Sequence, residues 1–564
     1  MLFSGLLVAL WCSLPVDASR QTLQHRAFKD LHKRHVKREE QQPSRPSTDI
    51  HLNDKTRPFC VNGSALPQVK FDFGESYSGL LPIDDSKELF FWFVPSTNPA
   101  ASNKITIWLN GGPGCSSLLG FLQEIGPVIW RTGTYLPVPN TFAWSNLTNM
   151  VYIEQPVGTG YSQGKPNANS YVDVAAQFLP FWKRFVDLFD LHNCKTYITG
   201  ESYAGMYCPY IAAAMLDQND TAYFDISGLM IYDPSFQYDV ASQVSTVPFV
   251  DAHPSHFPFN DTYNKFLHNL SDACGYTEYI ENALTFPPAG PFIDTPGLSH
   301  SEKDPRGYAT EDCDVYAALY YGIIDIDSCF NIYQVGALCP LLWDVLRFPY
   351  TDFYMYAHFC SLVTLANTSA RPMGFREPYF NRTDVKQALH APEHANWTAC
   401  TDIDVFVGDI GDLSPPSDIN GGPLQKVIES TNNVIVAHGA LDAILIANGT
   451  LLTLNNLTWN GVQGFSQPTT EPFFVPYHDN PIAGSQAGAG VFGGFVTERG
   501  LTFVAVVLAG HELPEYTASA GYKQVEYLLG RIGSLDEVSP FTTQPEIQQP
   551  DEPLGRGTWW SHHD

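Results

Sequence analysis

One short passage limits the fold more than any other. Thr196–Thr199 is an apolar run with strand character. It passes through Gly200-Glu201-Ser202-Tyr203-Ala204-Gly205 into a helical pattern that lasts to Leu216. A strand that turns sharply into a helix, with small residues at Gly200 and Ala204, lifts the Ser202 hydroxyl above a sheet and sets it over a helix N-terminus. Similar apolar runs recur at Ile105–Leu109, Met150–Ile153, Leu229–Tyr232, Val434–Ala437 and Leu501–Leu508, with helical stretches between them. Continuous rather than alternating apolar strands indicate an α/β fold whose mostly parallel sheet is covered on both faces.

The rhythm breaks between about Tyr238 and Pro372, which is rich in aromatics and holds Cys274, Cys313, Cys329, Cys339 and Cys360. This stretch is expected to be a disulfide-braced helical cap, residues 238–372, inserted between two core parts at 60–237 and 373–535. The Gly-rich stretch Ala483–Gly494 is expected to be a mobile loop before the last strand, and residues 536–564 a polar tail. No internal repeat is visible.

Charge and cysteine usage narrow the setting. The 564 residues carry a formal charge of −28, and no basic surface suggests nucleic acid as a partner. Residues 1–38 hold seven Lys/Arg against Asp17 and Asp30, so a basic leader of +5 precedes a body of −33. An acidic body suits a compartment of low pH. Leu2–Leu14 followed by Val16-Asp17-Ala18 reads as a signal peptide, residues 1–18. Residues 19–38, ending in Lys37-Arg38, read as a pro-segment. No other run is long enough to span a membrane. Ten cysteines remain after Cys12, an even set suited to disulfides in an oxidising compartment. Ten glycosylation sequons agree with export: Asn62, Asn146, Asn219, Asn260, Asn269, Asn367, Asn381, Asn396, Asn448 and Asn456.

A serine on such a turn needs a base and a group to orient the base. In α/β-hydrolase order an acid and then a histidine follow, each past a later strand. Asp442 follows Val434–Ala437, and His511 follows Leu501–Leu508. The string His511-Glu512-Leu513-Pro514-Glu515 lacks the second His of a zinc helix, and no CxxC occurs, so no metal site is expected.

With these residues in place, the chain resembles the serine carboxypeptidase family, especially its secreted and vacuolar fungal members. The resemblance rests on Trp108-Leu109-Asn110-Gly111-Gly112-Pro113-Gly114-Cys115-Ser116-Ser117, Glu124-Ile125-Gly126-Pro127, and Glu154-Gln155-Pro156-Val157-Gly158-Thr159-Gly160-Tyr161-Ser162. It continues through the Gly200–Gly205 turn, Val385-Lys386-Gln387-Ala388-Leu389-His390, Trp397 with Cys400, and Gly510-His511. It implies an α/β-hydrolase fold, a Ser202–His511–Asp442 triad and an oxyanion hole of the Gly112 and Tyr203 N–H groups. It also implies binding of a substrate α-carboxylate by Asn110, Gly111 and Glu201, with Glu124 paired to Glu201, a Cys115–Cys400 bridge, and no cofactor. Glu512 would lie near the leaving residue. Cys194 with Cys208 is a candidate second bridge. The family often has an acid where Ala440 stands, and a Pro where Ala518 stands. Ile231-Tyr232-Asp233-Pro234 replaces its usual Gly-Asn-Gly or Gly-Asn-Pro.

The expected function is therefore acidic-pH hydrolysis of C-terminal peptide bonds through an acyl-enzyme, outside the cell or in a vacuole. An acyltransferase on the same scaffold and an inert binding protein are the alternatives. The intact carboxylate-binding set and triad weigh against them.

Overall fold

The computed structural model describes residues 50–236, 239–291, 297–299, 308–327, 330–337, 344–346, 377–408, 414–479 and 488–549. The expected signal peptide and pro-segment, Asn367, and Cys329, Cys339 and Cys360 lie outside them.

Eleven strands form one sheet: β1 (Cys60–Val61), β2 (Ser76–Pro82), β3 (Glu88–Val94), β4 (Lys104–Leu109), β5 (Asn149–Glu154), β6 (Lys195–Glu201), β7 (Asp225–Tyr232), β8 (Val434–Gly439), β9 (Glu471–Val475), β10 (Gly490–Glu498) and β11 (Leu501–Val506). Their spatial order is β1-β2-β3-β5-β4-β6-β7-β8-β11-β10-β9. The six from β5 to β11 in that order run parallel, with antiparallel strands at both edges. The main helices are α1 (Tyr171–Phe189), α2 (Ala204–Asp217), α3 (Asp239–Ala252), α4 (Asp261–Ala273), α5 (Tyr276–Ala283), α6 (Val315–Ile326), α7 (Pro423–Thr431), α8 (Ala447–Asn456) and α9 (Ala518–Leu528).

Each parallel strand is apolar on both faces because both faces are covered. Ile105, Ile107 and Leu109 of β4 pack with Phe178, Trp182 and Met206 of α1 and α2, whereas Trp108 points to the opposite core with Trp144 and Tyr232. Helix α1 starts where Ser170 accepts the Asp173 N–H, and it stops at Asp190, whose φ of 54° leaves the helical region. The expected α/β-hydrolase class agrees with this architecture. Between β7 and β8, helices α3 to α6 gather around their own apolar cluster, including Val244, Leu267, Tyr276 and Ile323, which reaches Leu452 of α8.

Three sequence expectations need correction. Gly490–Gly494 is strand rather than loop, because Gly493 and Gly494 pair with Val506 and Ala505. A side chain at Gly493 would come within 1.9 Å of the Ala505 carbonyl, so the glycines serve a close strand approach; positions 483–487 of the expected loop lie outside the described residues. The segment from 536 is not wholly a tail. Phe541 is buried, its ring 5.9 Å from Phe142 and 5.3 Å from Tyr522. Finally, Cys194 and Cys208 are free thiols, Cys208 being buried under the turn against Gly200. The bridges among the described residues are Cys115–Cys400 and Cys274–Cys313.

Cys115–Cys400 ties the loop after β4 to a segment 285 positions later. Closing so long a loop stabilises the fold by about 2–5 kcal/mol. Non-reducing peptide maps should recover both bridged pairs, with Cys208 alkylated only after unfolding. Replacing Cys115 and Cys400 together by Ser should lower Tm measurably; an unchanged Tm would refute the contribution.

Candidate active site

Ser202 stands between β6 and α2 with φ 63°, a conformation that a non-glycine residue holds only when its surroundings enforce it. Its N–H donates to Tyr232 O at 2.9 Å, and its carbonyl accepts from Ser235 N and Gly205 N, each at 2.9 Å. These bonds pin the turn to the end of β7 and leave Ser202 half-buried. The loop after β4 comes up against it. A Cβ on Gly111 would lie 2.4 Å from Tyr203 N and 2.8 Å from Ser202 Cβ, so only glycine allows the approach. Gly112 is next in the same loop, which Cys115 anchors.

Asp442 and His511 follow the ends of β8 and β11, as their positions in the sequence require. His511 Nδ1 lies 2.7 Å from Asp442 Oδ2, and both residues are buried. The carboxylate accepts at Nδ1, so the proton sits there and Nε2 is left as the basic nitrogen. Burial, the largest single influence, lowers the His511 pKa, but the charge and hydrogen bond of Asp442 together with the charges of Glu512 and Glu124 exceed it, so the net direction is upward.

Next to the serine turn lies a pair of acids. Asn110 Oδ1 accepts Trp108 Nε1–H at 2.7 Å and Gly120 N–H at 3.2 Å, so its amide nitrogen must face the other way. That nitrogen donates to Glu201 Oε1 at 3.1 Å and Glu124 Oε1 at 3.4 Å. Both acids are nearly sealed, Glu124 2% and Glu201 4% exposed. Burial first, and then the Glu512 charge against a lowering hydrogen bond from Glu201, push Glu124 up to about 7. Burial and the Glu124 charge hold Glu201 well above the ordinary range. The two carboxyls meet at the Asn110 amide, and each is held above its ordinary range. Glu512 is buried behind His511, accepts the Tyr516 hydroxyl at 2.8 Å, and is itself raised by burial.

Sequence reasoning overlooked several acids here. Glu515, raised well above its usual range by burial and by Glu512, shares Thr132 with Asp344. Glu154, which opens the Glu154–Ser162 motif, joins Ser116, Tyr161 N–H and Trp397 Nε1 beneath the glycine-rich loop. Asp233 and His438 stand directly behind Asp442. Only the position of His438 in a strand end before the acid could have pointed to them. Of the sequons, Asn62, Asn219, Asn260, Asn269, Asn396 and Asn448 are exposed and Asn146, Asn381 and Asn456 half-buried. The amide nitrogens of Asn146 and Asn381 are engaged by Thr141 O at 3.0 Å and Asn396 Oδ1 at 3.1 Å.

A serine on a sharp turn, an imidazole held by a buried carboxylate and a nearby glycine-rich loop are the parts from which a serine hydrolase site is built. Comparison with known proteins narrows the class. Residues 67–530 match the serine carboxypeptidase family, Peptidase_S10. The chain is 48% identical over 505 residues to a probable serine carboxypeptidase of Arthroderma benhamiae, covering 87% of this chain and 89% of that one. It is 40% identical to the serine-type carboxypeptidase F of Aspergillus niger, covering 86% and 89%. The crystal structure of a prohormone-processing carboxypeptidase from Saccharomyces cerevisiae superposes with a TM-score of 0.62 at 22% identity, covering 86% of this chain and 98% of that one, and shares its fold. The protein belongs to the serine carboxypeptidase family, and is a serine-type carboxypeptidase, a hydrolase acting as an exopeptidase. Among the described residues no helix is long and apolar enough to cross a membrane.

Burial also sets a pH dependence of stability. Glu154 is pushed from 4.5 to about 7, chiefly by burial. A folded pKa above the unfolded one gives stability that is complete below pH 4.5 and lost as pH rises through 7, about 3 kcal/mol in all. Thermal unfolding should therefore show Tm falling from pH 4.5 to 8, with a shallower fall for Glu154→Gln. A variant slope equal to that of the native chain would refute this.

Proposed function

We propose that the protein removes C-terminal residues from peptides and proteins at acidic pH through an acyl-enzyme on Ser202. Ser202 Oγ attacks the terminal peptide carbonyl while His511 Nε2 takes its proton and then gives it to the leaving amine. Asp442 orients the imidazole and offsets its charge. The N–H groups of Gly112 and Tyr203 stabilise the oxyanion as the carbonyl becomes tetrahedral. Water, activated by His511, then releases the acyl group.

The observation that carries this reading is the Asn110-oriented Glu124/Glu201 pair beside the serine turn. A carboxyl that keeps its proton can donate a hydrogen bond to a substrate carboxylate, which an ionised one would repel. Asn110 and the Gly111 N–H supply further donors. An internal peptide bond offers no such carboxylate, so the pair favours cleavage at chain ends. The names of the fungal relatives support the same substrate class. We further infer export to the medium or a vacuole, supported by the apolar leader, the bridges and the exposed sequons.

Digestion of a peptide mixture at pH 5, with masses followed over time, should show stepwise loss from C-termini; internal cuts would overturn the reading. The kcat/KM for peptides should fall as pH rises through about 7, where Glu124 loses its proton. Glu201→Gln should flatten that fall, and an unchanged profile would count against the role of the pair.

Glu512, buried next to His511, is proposed to favour a cationic leaving residue. Glu512→Met should reduce kcat/KM for peptides ending in Lys or Arg by roughly tenfold and leave those ending in Leu nearly unaffected. Because burial raises its pKa, the preference should fade on acidification at a higher pH than the value near 4 of an ordinary carboxyl. Equal slowing of both substrates would show that Glu512 only supports the loop.

A further inference from the structure

A second imidazole and a second acid stand behind Asp442. Asp442 Oδ1 accepts the N–H groups of Ile444 at 2.8 Å and Leu445 at 3.1 Å, and Oδ2 faces His511. On the far side, His438 Nε2 is 3.4 Å from Asp442 Oδ2, 3.3 Å from Asp233 Oδ1, and hydrogen-bonded to the Leu445 carbonyl. All three neighbours are acceptors, so this nitrogen carries a proton and donates. Asp233 Oδ1 also accepts Gly439 N–H at 2.7 Å. No donor reaches its Oδ2, yet the Asp233 and Asp442 carboxyls are in hydrogen-bonding contact.

Both side chains are fully buried, where two touching carboxylates cannot both stay charged. Burial and then the Asp442 charge drive Asp233 well above the ordinary range. Burial opposes charge on Asp442 too, but His511 and His438 more than compensate and keep it low. Of the two carboxyls Asp233 is the one that favours a proton, and its Oδ2, which no donor reaches, is free to carry it.

We propose that Asp233 and His438 are positioning residues: their O–H and Nε2–H groups hold the Asp442 carboxylate in one orientation and draw charge from it, so that His511 stays a free base to lower pH. This rests on the assignment of Ser202, His511 and Asp442 made above. Each hydrogen bond donated to a carboxylate lowers its proton affinity and weakens its pull on the proton of His511. Other groups facing the pair are Glu512 and Glu124 near His511, Glu201 beside Glu124, and Tyr316 and Tyr333 near Asp442. They are the same in every variant below.

Asp233 has φ 44°, which Asn and Gly both tolerate. Asp233→Asn keeps a donor towards Asp442 and an acceptor for Gly439, whereas Asp233→Gly keeps the backbone and loses both. His438→Gln retains an N–H, and His438→Phe does not. The readout is the rate at which an aryl sulfonyl fluoride labels Ser202 across pH 3–9, a reaction that needs no substrate carboxylate. Asp233→Gly and His438→Phe should move the acid limb up by about one unit, a roughly tenfold loss on the acid side with the plateau preserved. Asp233→Asn and His438→Gln should bring the limb back. Limbs that coincide in all the variants, or slowing by one factor at every pH, would overturn the proposal. Should the Gly and Phe variants fail to fold, a displaced acid limb in Asp233→Asn would overturn it alone. A native enzyme that is never labelled on Ser202 would instead refute the triad.

Discussion

The hydrogen-bonded register of the parallel strands β6, β7, β8 and β11 is the constraint on which the site depends. Ser202 N–H bonds to the end of β7, and Asp233 N–H, just past β7, bonds to Ala437 of β8 at 2.8 Å. Gly439 of β8 in turn pairs with Val506 of β11. Serine, acid and histidine thus leave the sheet at the same end because the ladder fixes where each strand stops. A register slip of one residue would turn every side chain to the other face and separate them.

Against that rigid frame the electrostatics run in one direction. Glu124, Glu201, Asp233 and Glu512 are buried, Glu515 is half-buried, and all five are raised. Desolvation leads each shift, so the interior stores protons rather than negative charge. Asp442 is the exception, held down by two imidazoles and two backbone donors. The same low-dielectric surroundings therefore yield one anion and several neutral acids, separated by what each can find as a partner.

Much of this was legible in the residues. The central strands read as continuous apolar runs because both faces are covered, and the order of Ser202, Asp442 and His511 along those runs put each of them past the end of a strand. The carboxyl pair could be anticipated only through family resemblance, since nothing in the spacing of Glu124 and Glu201 shows that they touch. Gly490–Gly494 looked like a loop because glycine signals flexibility in a sequence, whereas here it makes room for a neighbouring strand. Asp233 and Gly439 are 206 positions apart and meet only through the β7–β8 pairing. No local pattern could have revealed the group behind Asp442.

The Cys115–Cys400 bridge has a consequence in time. Synthesis proceeds from the N-terminus, so Asn110, Glu124 and Ser202 emerge well before the partner that fastens their loop, and Asp442 and His511 emerge later still. Throughout that interval the growing chain holds Ser202 without His511 and an unfastened loop. The order of residues along the polymer thereby delays the fastening of this loop until most of the sheet has been made.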